Sequence, residues 1–162
     1  MSSAIKQKQN TSVDNAKLKK MRFGIVVSDW NTEITEALLN GAVKALHDYG
    51  AKTNNITVKH VPGSFELTYG AQLFAEQKNV DAIICLGCVI QGETRHFDFI
   101  CDAVANGVTN VSLKYNLPVI FGVLTPNNLK QAKERSGGKY GNKGEEAALT
   151  AIQMVALKKS FQ

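Results

Sequence analysis

The sequence predicts an α/β domain: a four-stranded parallel sheet with helices on both faces, packed as a three-layer α/β/α sandwich. Two observations carry this. Short apolar, β-rich runs alternate with segments whose apolar residues recur at helical spacing, a pattern that means parallel strands joined by right-handed crossovers. Size and composition agree, because 162 residues suit one domain with a substantial core, and 44% hydrophobic with 20% charged residues is ordinary for a folded protein.

The first strand is Phe23–Ser28. Behind it, Ile34, Leu38, Leu39, Ala42, Val43 and Leu46 share one helical face that ends near Gly50. Ile56–Val61 is the second strand, and after Pro62-Gly63 an apolar helical stretch runs from residue 65 to about 77. The third run, residues 82–86, is short and unbroken, as in a strand buried on both faces. Phe97, Ile100, Cys101, Val104, Val108, Val111 and Tyr115 then recur at helical steps with Asp98, Asp102 and Asn106 opposite, which makes the clearest helix of the chain. Pro118 opens a fourth strand, Val119–Leu124. Two helices finish the chain, split by Ser136-Gly137-Gly138. The last carries Glu145 and Glu146 in its first turn and Lys158 and Lys159 in its last, matching the helix dipole at both ends. In such sheets ligands gather at the carboxyl ends of the strands, so the loops to search are residues 28–31, 62–66, 87–96 and 122–128.

The charge of +5 sits at one end: Lys6, Lys8, Lys17, Lys19, Lys20 and Arg22 against Asp14 account for all of it, and the remaining chain is neutral. A nucleic-acid binder should carry its basic stripe on the fold, interleaved with aromatics. Residues 1–20 therefore read as a polar, basic arm, partly disordered or packed on a neighbouring subunit, and 21–162 as a single domain. No apolar run approaches the ~20 residues of a membrane span, and the start lacks the apolar core of a secretory signal. Cys85, Cys88 and Cys101 are a sparse, odd set that suits reduced thiols in a cytoplasm.

Cys85-x-x-Cys88 invites a metal or redox reading, but residues three apart in a strand point to opposite faces, so metal is rejected. Gly87-x-x-x-x-Gly92-Glu93-Thr94 approaches a phosphate-binding loop until position 93, where an acid replaces the lysine that nucleotide hydrolysis needs. A glycine-bearing turn before a helix remains an anion site without that lysine, and Thr94 suits a helix N-cap. His96, one turn into the helix by this reading, lies between the positive helix end and any bound anion, which suits proton transfer near neutral pH. Position alone leaves a plain surface histidine equally open. Trp30, the only tryptophan, follows the first strand, where an indole can stack on a flat heterocycle. Phe65 and Phe121 fit either core or pocket. Arg135, before the Ser-Gly-Gly break, fits either a helix C-cap or bidentate recognition of phosphate.

Taken together, Val61-Pro-Gly-Ser-Phe-Glu66, Leu86-Gly-Cys-Val-Ile-Gln-Gly-Glu-Thr-Arg-His-Phe97, Val119-Ile-Phe-Gly-Val-Leu-Thr125 and Glu134-Arg-Ser-Gly-Gly-Lys-Tyr-Gly-Asn-Lys-Gly144 resemble the 6,7-dimethyl-8-ribityllumazine synthase family. The likeness runs in order from about residue 22 to the C-terminus. It implies a flavodoxin-like strand order 2-1-3-4, and a cofactor-independent transferase acting at the penultimate step of riboflavin biosynthesis. That enzyme condenses 5-amino-6-(D-ribitylamino)uracil with 3,4-dihydroxy-2-butanone 4-phosphate and releases phosphate and water. The chemistry fits the residue inventory, because imine formation, phosphate loss and ring closure need proton transfers and orientation rather than an activated nucleophile.

The resemblance assigns roles. Trp30 stands where the family carries an aromatic that stacks on the pyrimidine, and Ser64, Phe65 and Glu66 match the segment that holds the ribityl chain. Cys88, Val89 and Ile90 would read the pyrimidine edge through backbone groups, and Phe121 would complete the pocket. Glu93 and Thr94 match the turn that receives the butanone phosphate, Arg135 its cationic partner, His96 the proton-transfer residue, and Lys143 is a weaker candidate. Glu93 departs from the small residue common in the family and Arg95 adds a charge. Glu93 is therefore expected to offer its amide and turn its carboxylate away.

The resemblance also implies a homopentamer whose sites form between adjacent subunits. With no insertion in residues 137–144, it implies an icosahedral shell of 60 subunits, with riboflavin synthase as a candidate partner. Two other readings stay open at this point: a non-catalytic flavin- or lumazine-binding module, and a shell protein on the same fold.

Overall fold

A computed structural model describes residues 18–162. Residues 1–17, and with them most of the expected arm, lie outside the described residues; Leu18 and Met21 are already buried in the core. The four apolar runs form parallel strands β1 (Phe23–Ser28), β2 (Ile56–Val61), β3 (Ala82–Cys88) and β4 (Val119–Leu124). Their order is β2-β1-β3-β4, as expected. Phe23 faces Ile56 on one side and Ala82 on the other, and Ile83 faces Val119. The central strands β1 and β3 are buried at every position, whereas edge strand β2 is largely open.

The sheet's two faces follow from strand alternation. Ile25, Val27, Ile84, Leu86 and Cys88 pack with helices α1 (Thr32–Asp48) and α5 (Lys143–Ser160). Val26, Ile83 and Cys85 pack with α2 (Leu67–Gln77) and α3 (His96–Tyr115). Cys85 and Cys88 therefore lie in opposite cores, as their spacing predicts. Short helix α4 (Leu129–Arg135) precedes the last helix.

The Ser-Gly-Gly break is more than a break. It starts a small antiparallel hairpin, β5 (Ser136–Gly138) with β6 (Gly141–Asn142), which ends on the cap of α5. Asn142 Oδ1 accepts from the amides of Gly144 and Glu145 at 2.8 and 3.3 Å, satisfying helix donors that would otherwise lack partners. Its Nδ2 donates to Ala37 O at 2.8 Å, so one side chain both caps α5 and ties it to α1. The approach is close: a methyl on Gly144 would fall 1.9 Å from the Leu38 carbonyl oxygen. Glu145, Glu146, Lys158 and Lys159 occupy the end turns predicted for them.

Candidate active site

In the order β2-β1-β3-β4, crossovers leave β1 in one direction and β3 in the other, so the crevice between their carboxyl ends is the topological switch point. The candidate residues flank it. The β1–β2 ladder continues past the strands, Asp29 N–H donating to Val61 O at 2.8 Å and Trp30 N–H to Pro62 O at 3.1 Å. Trp30 thereby lies beside the loop that bears Ser64, Phe65 and Glu66, and 72% of its surface is exposed. Asn31 adopts the left-handed conformation (φ 62°), and its Nδ2 donates to Cys88 O at 2.9 Å across the switch point. That bond ties the first loop to the third.

Beneath these loops the packing is tight and polar. Ser28 and Ser64 are buried, and their hydroxyls meet no hydrogen-bond partner among the described residues. Gly87 lies against both, for a methyl there would fall 2.6 Å from Ser64 Oγ, 2.9 Å from Leu67 Cδ1 and 3.4 Å from Ser28 Oγ. The strand needs glycine here for close approach rather than for a special φ. Phe65 and Glu66 are exposed, in the single helical turn Ser64–Glu66 that leads into α2.

The turn 87–96 departs from expectation in one respect. His96 is the first residue of α3 rather than one turn inside it, and Arg95, not Thr94, holds the N-cap position. The cause is the ladder below. Val89 N–H donates to Leu124 O at 2.8 Å and Gln91 N–H to Pro126 O at 3.0 Å, so the chain stays extended beyond β3 and turns only at residues 93–95. Thr94 still serves the helix end, its hydroxyl accepting from His96 N–H at 3.4 Å. Val89 and Ile90 are half-buried, while Glu93, Thr94 and His96 are exposed. Arg95 folds along the helix toward Asp98 (3.6 Å) and the Phe99 ring. The result is an accessible helix N-terminus with a histidine at its first position, an arrangement able to receive an anion.

Burial pushes the Cys88 thiol up to about 12, and the Cys85 thiol likewise. Neither supplies a thiolate at neutral pH. Among the described residues no group of three His, Cys, Asp or Glu side chains is placed to hold a metal ion, and no helix is long and apolar enough to cross a membrane.

Not every candidate converges on the crevice. Arg135 ends α4, half-buried, with its guanidinium 5.3 Å from the Tyr140 ring centre. Lys133 bonds Glu33 at 2.7 Å and Asn142 bonds Ala37, so this region packs on the α1 side of the sheet. His96 opens α3 on the other side. Phe121 lies in edge strand β4 opposite Cys85, 36% exposed. Lys143 opens α5, paired with Glu146 at 3.1 Å. The single chain gathers Trp30, Ser64–Glu66, Cys88, Val89, Ile90 and the 93–96 turn at the carboxyl edge of the sheet, with Arg135 and Lys143 on elements of the α1 layer and Phe121 in mid-strand on the α3 face of β4. Sequence reasoning missed Asn31. The available signal was an asparagine, tolerant of the left-handed region, immediately before a helix.

The fold is that of a doubly wound α/β protein, with its candidate residues flanking the switch point beside an exposed helix N-terminus. Residues 20–159 match the 6,7-dimethyl-8-ribityllumazine synthase family. The chain is 59% identical over 156 residues to the protein of that name from Cytophaga hutchinsonii, covering 96% of this chain and 98% of the relative. It is 55% identical over 136 residues to that of Parabacteroides distasonis (84% and 85% covered) and 56% identical over 135 to that of Bacteroides fragilis (83% and 94%). The chain belongs to the 6,7-dimethyl-8-ribityllumazine synthase family.

Proposed function

We propose that this protein is a lumazine synthase that condenses 5-amino-6-(D-ribitylamino)uracil with 3,4-dihydroxy-2-butanone 4-phosphate, releasing phosphate and water. The observation that carries this reading is the Asn31–Cys88 bond, which joins the loops bearing Trp30 and Val89–Ile90 across the switch point of a family member. In this reading Trp30 stacks on the pyrimidine, Cys88, Val89 and Ile90 meet its edge through the backbone, and Ser64, Phe65 and Glu66 hold the ribityl chain. The amides at Glu93 and Thr94 take the phosphate at the start of α3, with the Glu93 carboxylate turned outward. His96, beside that anion, moves protons during imine formation and ring closure. Orientation and proton transfer supply the acceleration, with no covalent enzyme intermediate.

Arg135 and Phe121 serve a site shared between subunits. The place of Arg135 on the α1 side of the sheet, opposite the layer that holds His96, supports this, as do the exposed apolar side chains of Phe65, Tyr69, Phe99, Leu113 and Phe121. We assign a homopentamer, assembled into a 60-subunit shell, in the cytoplasm, with riboflavin synthase as the partner that consumes the product. Mixing is the test. His96→Ala and Arg135→Ala enzymes, each strongly impaired when assayed near the parental KM for the phosphate substrate, should regain activity when dissociated and reassembled together, because some hybrid sites are intact. Activity that stays at the level of the separate variants contradicts a shared site. Light scattering separates pentamer from shell directly.

A further inference from the structure

His60 is the penultimate residue of edge strand β2, opposite Val27. Its Nδ1 lies 2.8 Å from Asp29 Oδ1 and 4.0 Å from Glu36 Oε1. Asp29 immediately precedes Trp30, and the backbone bonds to Val61 and Pro62 fix where that turn sits along the ladder. The turn is also closed on α1, where Thr32 Oγ1 donates to the Asp29 carbonyl and the Asn31 carbonyl accepts from the amides of Ile34 and Thr35. Two side-chain bonds tie it to the neighbouring strands from opposite flanks: Asn31 to the Cys88 carbonyl on the inner side and His60 to Asp29 on the outer side. His60 and Asp29 are both about half exposed, so the pair contributes little to global stability and its effect is local.

We propose that His60 and Asp29 are positioning residues: the pair, with Glu36 behind it, fixes the angle at which Trp30 faces residues 64–66 and so tunes affinity for the heterocycle without touching it. The inference rests on Trp30 being the stacking residue. It is independent of the phosphate half of the site, which lies across the switch point on α3.

The test is kinetic and spectroscopic on the full-length enzyme. His60→Ala and Asp29→Ala should each raise KM for the pyrimidine substrate about two- to fivefold, the range an exposed pair delivers. The kcat and the KM for the phosphate substrate should stay as in the parent. Asp29→Asn keeps an oxygen acceptor for Nδ1 and should restore most of the affinity. Combining the two alanine changes should cost no more than either alone. Because Trp30 is the only tryptophan, its fluorescence anisotropy reads the turn without turnover, and it should fall in both alanine variants while the melting temperature holds. A His60→Ala enzyme with parental pyrimidine KM and parental anisotropy overturns the proposal. Trp30→Ala separates the two ways it can fail. If Trp30→Ala also leaves the pyrimidine KM unchanged, the stacking role is wrong. If Trp30→Ala raises KM and His60→Ala does not, the latch alone is wrong.

Discussion

Gly87→Ala is the perturbation that reads the floor of the crevice most sharply. The added methyl would fall 2.6 Å from Ser64 Oγ and 2.9 Å from Leu67 Cδ1, inside ordinary contact distance for both. Leu67 is fully buried at the start of α2, so the strain passes to the turn carrying Ser64, Phe65 and Glu66. Overpacking of this kind costs about 1–3 kcal/mol. Taking about 2 kcal/mol, a chain of this size should lose about 4–8 °C in melting temperature. Displacement of substrate-positioning groups by about 1 Å can cost on the order of a hundredfold in rate, so the pyrimidine KM should rise at least tenfold. Ser64→Ala removes the closest atom of the clash, a hydroxyl whose unpaired burial itself costs about 1–3 kcal/mol. Alone it should be neutral or slightly stabilising. In the double variant it should recover about 1 kcal/mol of what Gly87→Ala loses, a coupling expected only of touching groups. The assays are thermal denaturation at matched protein concentration, since assembly shifts melting, and steady-state kinetics with each substrate. Parental stability and KM in Gly87→Ala, or no relief from Ser64→Ala, would mean that Gly87 does not pack against Ser64 and Leu67 as described.

Other consequences follow from the same geometry. His96→Ala should lower kcat by about a hundredfold or more, the usual worth of a positioned proton-transfer group, while Arg135→Ala should raise KM for the phosphate substrate about ten- to hundredfold, the loss of charge-assisted hydrogen bonds; an unchanged KM contradicts a phosphate role for Arg135. Asn142→Ala removes a cap and an interhelix bond together, so unfolding in urea should show a loss of about 1–3 kcal/mol with little change in KM. The buried thiols of Cys85 and Cys88 titrate near 12 in the folded chain against 9.0 for an ordinary thiol. Their protonated state is therefore favoured by folding: the contribution is complete below about pH 9 and lost as pH rises toward 12. Cys85→Ala should flatten the alkaline decline in stability, and an unchanged slope between those limits would contradict it.

Much of this fold is legible in the sequence because burial writes itself into apolar runs. β1, β2 and β4 begin and end where the runs do, and β3 extends only two residues beyond its run, through Gly87 and Cys88. The β5–β6 hairpin is not legible, since Ser136-Gly137-Gly138 carries no apolar or β-branched side chain to signal a strand and its pairing is set by neighbours. The cap of α3 falls at Arg95 rather than Thr94, and His96 opens the helix instead of lying a turn inside it, because the bonds that keep residues 89–91 extended come from Leu124 and Pro126, far along the chain. Asn31, Asn142 and the His60–Asp29 pair share that trait: each is a polar residue whose partner lies 31 to 105 positions away. The candidate residues themselves were legible as a set, through resemblance. Their division between the two sides of the sheet was not, because only the topology places α3 and α4 on opposite layers.

Turnover itself is open to direct measurement. Purified protein is mixed with the ribitylaminouracil and the butanone phosphate, and lumazine absorbance and free phosphate are followed together. Lumazine should form catalytically, with one phosphate released per product, many times over the protein concentration, and both signals should collapse in His96→Ala. Tight lumazine binding with no product above the uncatalysed reaction would contradict turnover and leave a binding protein on this fold.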